Sequence, residues 1–226
     1  MVYYIPQKLT NCYTISYMSK YTIFYIEAIL LFSLPVALLT YSSEFLAMRH
    51  IFMAVAGIYS AWRLFKYKAT LASLGIHRTN FVASLKDLIN PSLFMILVTF
   101  AIFIFTPAPL LQTLIGYDSL PSFNLAGRLI MYMTLSAPIQ ELIFRGYITW
   151  RIKEVYNKQS EIVMLSVAFF TFAHLPFHSI LFVVLTGFMG YIFIKNYLKY
   201  QNLYTMMLAH ALVGGFIFAI RYIMFP

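Results

Sequence analysis

Long apolar runs, broken by short polar stretches, dominate the chain. Runs of this length read as helices crossing a bilayer, whose hydrocarbon core of about 30 Å takes about 20 residues. They predict about seven spans, near residues 21–40, 51–65, 93–114, 129–150, 162–177, 179–194 and 203–223. The second, fifth and sixth are short, and are expected to extend into their flanks or to sit inside the bundle. No internal repeat or low-complexity linker divides the chain, so residues 1–226 are expected to form one integral membrane domain. The expected fold class is all-α: a polytopic transmembrane helix bundle with an intramembrane polar cavity.

The fourth run is interrupted. Gln140, Glu141 and Arg145 lie in Ser136-Ala137-Pro138-Ile139-Gln140-Glu141-Leu142-Ile143-Phe144-Arg145-Gly146, with apolar residues on both sides. A carboxylate or a guanidinium at the bilayer centre costs at least ~2.5 kcal/mol on insertion scales. The i, i+4 spacing puts Glu141 and Arg145 on one helical face. A buried pair of this kind rarely adds stability over an apolar replacement, so a catalytic or transport site is the natural reading. Two more polar residues lie deep: His174, after Ala168-Phe169-Phe170-Thr171-Phe172-Ala173, and His210, in Met206-Met207-Leu208-Ala209-His210. At a rise of ~1.5 Å per residue, Glu141, His174 and His210 fall roughly 13, 18 and 10 Å from the cytoplasmic ends of their spans. They can therefore share one layer, facing a cavity expected to open to the cytoplasm or inner leaflet.

Two chemistries suit a carboxylate and two imidazoles there. Glu141 can act as general base on water while a histidine polarises the substrate carbonyl. Alternatively, Glu141, His174 and His210 can hold a divalent metal such as zinc. Against both stands the simpler reading, in which each histidine makes one interhelical hydrogen bond. Arg145 is expected to be structural, neutralising Glu141 or capping backbone carbonyls. Of the other polar residues, Glu27 is expected to reach the headgroups, and His178 to be exposed in a tight outer turn. His50 and His77 are placed in loops and Asp118 in a solvated turn, with Ser136 and Ser166 at helix contacts. No Gly-rich phosphate loop, His-Glu-x-x-His helix or Gly-x-Ser-x-Gly elbow occurs.

Composition agrees with the spans: 62% hydrophobic and 10% charged residues, against roughly 25% charged in soluble domains. One cysteine, Cys12, excludes an intrachain disulfide. The +9 charge needs no nucleic acid, because Lys and Arg gather on cytoplasmic loops facing anionic lipid. With the N-terminus inside, Lys8, Lys20, Arg63, Lys66, Lys68, Arg78, Lys86, Arg151, Lys153, Lys158, Lys195 and Lys199 lie on the cytoplasmic side, and only Arg49, Arg128 and Arg221 outside. The segment 66–91 reads either as an interfacial amphipathic stretch or as an ordinary connector. The first twenty residues lack a basic start followed by an apolar stretch, so no cleavable signal is expected. A short, loop-poor chain fits a bacterial cytoplasmic membrane.

These residues resemble the CPBP (CAAX protease and bacteriocin-processing, or Abi) family of intramembrane proteases. The family's motifs are Glu-Glu-x-x-x-Arg, Phe-x-x-x-His and His-x-x-x-Asn. Gln140-Glu141-Leu142-Ile143-Phe144-Arg145 looks like the first, Phe170-Thr171-Phe172-Ala173-His174 matches the second, and His210-Ala211-Leu212-Val213-Gly214 looks like the third. Gly187-Phe188-Met189-Gly190 and Asn202-Leu203-Tyr204-Thr205 resemble the run between the last two. The likeness covers about residues 128–215. It implies hydrolysis of a peptide bond in a membrane-associated, prenylated or leadered substrate. In the family the first glutamate and the Phe-x-x-x-His histidine are thought to activate water, and the last histidine and the asparagine to stabilise the oxyanion; a metal mechanism has also been proposed. Here the first glutamate is Gln140, whose amide cannot accept a proton at neutral pH, and the asparagine is Gly214. Glu141 points about 100° away from position 140 on an ideal helix. The resemblance therefore implies either a variant peptidase using Glu141, His174 and His210, or an inactive member acting as a membrane scaffold or partner-binding protein. A third possibility is that Gln140 was substituted to trap an inactive form, although Gly214 argues against it. An ion or proton transporter is a further class that intramembrane Glu and His allow, but no repeat supports it.

Overall fold

The structure is a computed structural model describing residues 20–77, 79–107, 109–111 and 125–224. Lys8, Cys12, Arg78, Asp118 and the turn at 116–122 lie outside the described residues. Among those described, every regular element is helical. In chain order these are α1 (Lys20–Tyr41), the short α2 (Ser43–Ala47), α3 (Arg49–Lys66), α4 (Phe81–Phe105), α5 (125–155), α6 (Gln159–Phe172), α7 (Ile180–Tyr200) and α8 (Leu203–Met224). Five helical stretches are long and apolar enough to cross a membrane: α1, α4, α6 with the turn that follows it (Gln159–Phe177), α7 and α8. The helices at the second and fourth expected spans are present but fall outside that set. α3 carries Arg49, Arg63 and Lys66 within its 18 residues, and α5 holds the polar residues of the fourth run.

Two expected boundaries move. The third span is expected at residues 93–114 from its apolar run. Instead α4 runs through Pro91, starting at Phe81 and ending at Phe105. The segment 66–91 thus gives residues 81–91 to α4. Its turn, with Leu74 buried, docks on the junction of α7 and α8. There the Tyr197 hydroxyl donates to the Leu74 carbonyl (3.1 Å), Leu203 N–H donates to Gly75 O (2.8 Å), and Asn202 Nδ2 donates to the carbonyls of His77 and Thr79 (3.0 and 2.9 Å). Gly75 has φ +79°, and a Cβ there would lie 2.2 Å from Gln201 O, so only glycine fits this approach.

α5 is continuous but uneven. π-helical turns occupy Tyr132–Ser136 and Leu142–Ile148, with a short α-helical stretch, Ala137–Glu141, between them. Pro138 follows the first of these turns, as Pro35 follows the π turn Ile29–Ser33 in α1. Proline has no N–H and its ring crowds the carbonyl four residues back, and a locally widened turn relieves both.

Glu27 does not reach the headgroups. It is buried in α1 between α3 and α5, with Oε2 2.7 Å from Arg151 Nε and Oε1 accepting from the Tyr59 hydroxyl at 2.8 Å. Arg63 Nη2 stands 2.8 Å from Oε1, out of hydrogen-bond alignment, so that contact is an ion pair. Arg151 also pairs with Glu154. Removing one partner of a buried pair leaves an uncompensated charge. Glu27→Ala is therefore expected to destabilise the fold by about 3–5 kcal/mol, read as a lower thermal midpoint in detergent, while Glu44→Ala on exposed α2 leaves the midpoint unchanged.

Candidate active site

The site is built by α5, α8, α7 and the turn after α6. Glu141 is completely buried. Its Oε1 accepts from Arg145 Nη1 at 3.0 Å and lies 2.6 Å from His210 Nδ1. A carboxylate in that position fixes the tautomer: Nδ1 carries the proton, and Nε2 is the nitrogen left for the cavity that His210 lines. Arg145 is nearly as buried as Glu141. Its Nη2 is 3.5 Å from Gly190 O, and its guanidinium carbon lies 4.2 Å from the centre of the Phe170 ring and 5.3 Å from that of Phe193. The guanidinium thus meets a carboxylate, a carbonyl dipole and two aromatic faces.

His174 ends up apart from the carboxylate. It follows the last residues of α6 and opens the 3₁₀ turn Leu175–Phe177. Its Nδ1 lies 2.7 Å from Phe170 O, so Nδ1 donates and Nε2 is left as an acceptor. The two histidines share a neighbour: the Phe170 ring centre lies 4.8 Å from His174 and 5.6 Å from His210. The matched depth read from the sequence thus holds for Glu141 and His210, which touch, while His174 sits one ring away. Gln140 faces the cavity, where Glu141 does not, and its Nε2 donates to Ser136 Oγ at 2.9 Å.

A cavity of about 540 Å³ opens beside these groups. Its walls are mainly apolar, with Gln140, Ser136, His174 and His210 supplying polar atoms at its depth. The lining continues past Tyr132 and Phe218 to Arg49, His50, Arg128 and Arg221. Those four stand at the end of the bundle opposite the lysine-rich loops. The cavity was expected to open toward the lysine-rich end, but its lining runs the other way. His50, expected in a loop, lies in the first turn of α3. Zinc would need Glu141, His174 and His210 to converge. Among the described residues no three His, Cys, Asp or Glu side chains come together that way, and His210 Nδ1 and Glu141 Oε1 satisfy each other. As placed, this donor set does not fit a metal.

Tyr132 is the lining residue that motif reasoning missed. It has no motif spacing, and its signal is the glycine at 214, whose missing side chain leaves room for the ring.

Comparison with known proteins adds one match. Residues 122–216 match the family model for type II CAAX prenyl endopeptidases, described as Rce1-like. The match supports assigning the chain to the CPBP/CAAX protease family. No curated protein and no solved structure matches the chain.

Arg145 gives the sharpest stability test. In Arg145→Met the Glu141 carboxylate is left buried without its cation, and destabilisation of about 3–5 kcal/mol is expected. Adding Glu141→Gln removes the orphaned charge, so the double variant should recover most of that loss. Thermal unfolding of the four proteins in one detergent reads the cycle directly.

Proposed function

We propose that this chain is an intramembrane endopeptidase hydrolysing a peptide bond of a membrane-associated, prenylated or leadered substrate, with His210 as the group that activates water. The contact between His210 Nδ1 and Glu141 Oε1 carries this reading. A carboxylate bonded to one imidazole nitrogen leaves the other as a base and stabilises the cation that forms, the division of labour found when an Asp orients a catalytic His. Glu141 is buried away from the cavity, with its Oε1 held by Arg145 and His210, and is better placed to orient His210 than to meet water itself. The apolar cavity walls suit an acyl or prenyl chain, or apolar peptide side chains, and exclude bulk water.

The steps follow. His210 Nε2 takes a proton from water, and the water oxygen bonds to the carbonyl carbon of the scissile peptide. The carbonyl π pair moves to oxygen and forms an oxyanion. That pair then returns, the C–N bond breaks, and the proton held on His210 passes to the departing amine nitrogen. The products are a carboxylic acid and an amine. His174, with Nε2 unengaged by its Phe170 contact, orients the water or the departing amine. Gln140 cannot titrate and serves to position. A chain that bound partners without cutting them would keep its effect when His210 and Glu141 are both replaced.

In proteoliposomes supplied with a farnesylated CAAX-type peptide carrying a fluorophore and quencher, the wild-type protein should cleave. His210→Ala should abolish turnover. Glu141→Gln, which presents the wrong tautomer, should lower kcat by about 10²–10⁴-fold, with folding confirmed by unchanged gel-filtration elution. Gln140→Asn should keep more activity than Glu141→Gln. Full activity in His210→Ala would remove His210 as the base.

A further inference from the structure

The tetrahedral step needs a hydrogen-bond donor aimed at the developing oxyanion. Arg145 does not line the cavity, and the Gln140 amide spends one of its two N–H groups on Ser136. One further side chain that carries a donor lines the cavity and packs against His210, that of Tyr132.

Its position is set by a glycine. A Cβ at Gly214 would lie 1.9 Å from the Tyr132 hydroxyl oxygen and 2.8 Å from Cζ. The hydroxyl therefore fills the volume where a side chain at 214 would begin. Position 214 lies one helical turn after His210, so that volume is on the same face of α8. The ring meets His210 edge-on, with centres 6.1 Å apart at 75°, and stacks on Phe218 at 6.3 Å and 5°. Two aromatic contacts thus hold the phenol where it is. Tyr132 is also the first residue of the π turn Tyr132–Ser136, whose widened geometry sets where its ring points relative to residues 136 and 140 on the same helix. Among the described residues nothing accepts a hydrogen bond from this hydroxyl.

We propose that Tyr132 is a catalytic residue whose hydroxyl, standing in the volume that Gly214 leaves free, donates a hydrogen bond to the carbonyl oxygen of the scissile peptide as it becomes an oxyanion. Tyr132 keeps its proton throughout, and only the strength of the bond changes along the reaction. This rests on the peptidase reading. It also makes residues 132 and 214 an exchangeable pair: a donor can come from either position, but not from both at once.

The test uses the full-length protein in proteoliposomes with the farnesylated fluorogenic peptide. Tyr132→Phe retains the ring and its two aromatic contacts, so its thermal midpoint and KM should match wild type while kcat falls by about 10²–10³-fold. Tyr132→Leu should be equally slow. Tyr132→Leu with Gly214→Asn, which places an amide donor in the emptied volume, should recover kcat to within about tenfold of wild type. Wild-type cleavage with kcat unchanged in Tyr132→Phe would overturn the Tyr132 assignment and leave the peptidase reading standing. Equal recovery in Tyr132→Leu with Gly214→Ala would also overturn it, because alanine brings no donor. No cleavage by the wild-type protein would overturn the peptidase reading and the Tyr132 role together, a result distinct from the other two.

Discussion

A fully buried carboxylate has to be answered, and the neighbourhood of Glu141 is organised around that answer. Its Oε1 draws Arg145 from the next turn of α5 and His210 from α8. Arg145 must then be accommodated in turn, and the Gly190 carbonyl of α7 and the faces of Phe170 and Phe193 do so. Four helices converge through one oxygen atom and its first neighbours. In a bilayer, apolar packing alone gives helices little reason to choose one another over lipid, so polar contacts of this kind carry much of the specificity. Glu27 repeats the solution at the lysine-rich end of the bundle, joining α1 to Arg63 of α3 and Arg151 of α5. α5 supplies a cation to both knots and is held at two depths.

The part of this organisation that was legible in the sequence is the part written in local spacing. Glu141 and Arg145 pair as the i, i+4 interval requires, and the apolar runs locate the helices, because hydropathy measures what a bilayer selects. Three features were out of reach for different reasons. Glu27 reads as a headgroup contact because its partners lie 36 and 124 residues away, and no local pattern connects them. The start of α4 at Phe81 was not legible because Lys86, Asp87 and Asn90 interrupt the apolar run by which a span is recognised. The end toward which the cavity runs was out of reach because residue counts give depth along each helix, not where the helices part from one another.

The place of Tyr132 shows a different limit. Motif comparison registers Gly214 as a residue lost, and in isolation it is. The space left by one side chain can be taken by another from a different helix, and linear motifs cannot show that exchange. Departures such as Gln140 and Gly214 are therefore weak grounds for judging a site dead until the volume they vacate has been inspected.

Phe170 makes the site mechanically shared. Its ring lies against the Arg145 guanidinium and both imidazoles, and packs edge-on against Phe144 at 5.2 Å. Beside it stands Gly190, where a Cβ would lie 3.0 Å from Cδ1 and 3.7 Å from Cγ. The clearance is smaller than a methyl group, so the ring works as a shim whose thickness is set from α7. A single added carbon at 190 would press on the ring, which must give by a few tenths of an ångström, and that pressure would reach three functional side chains through the ring they share.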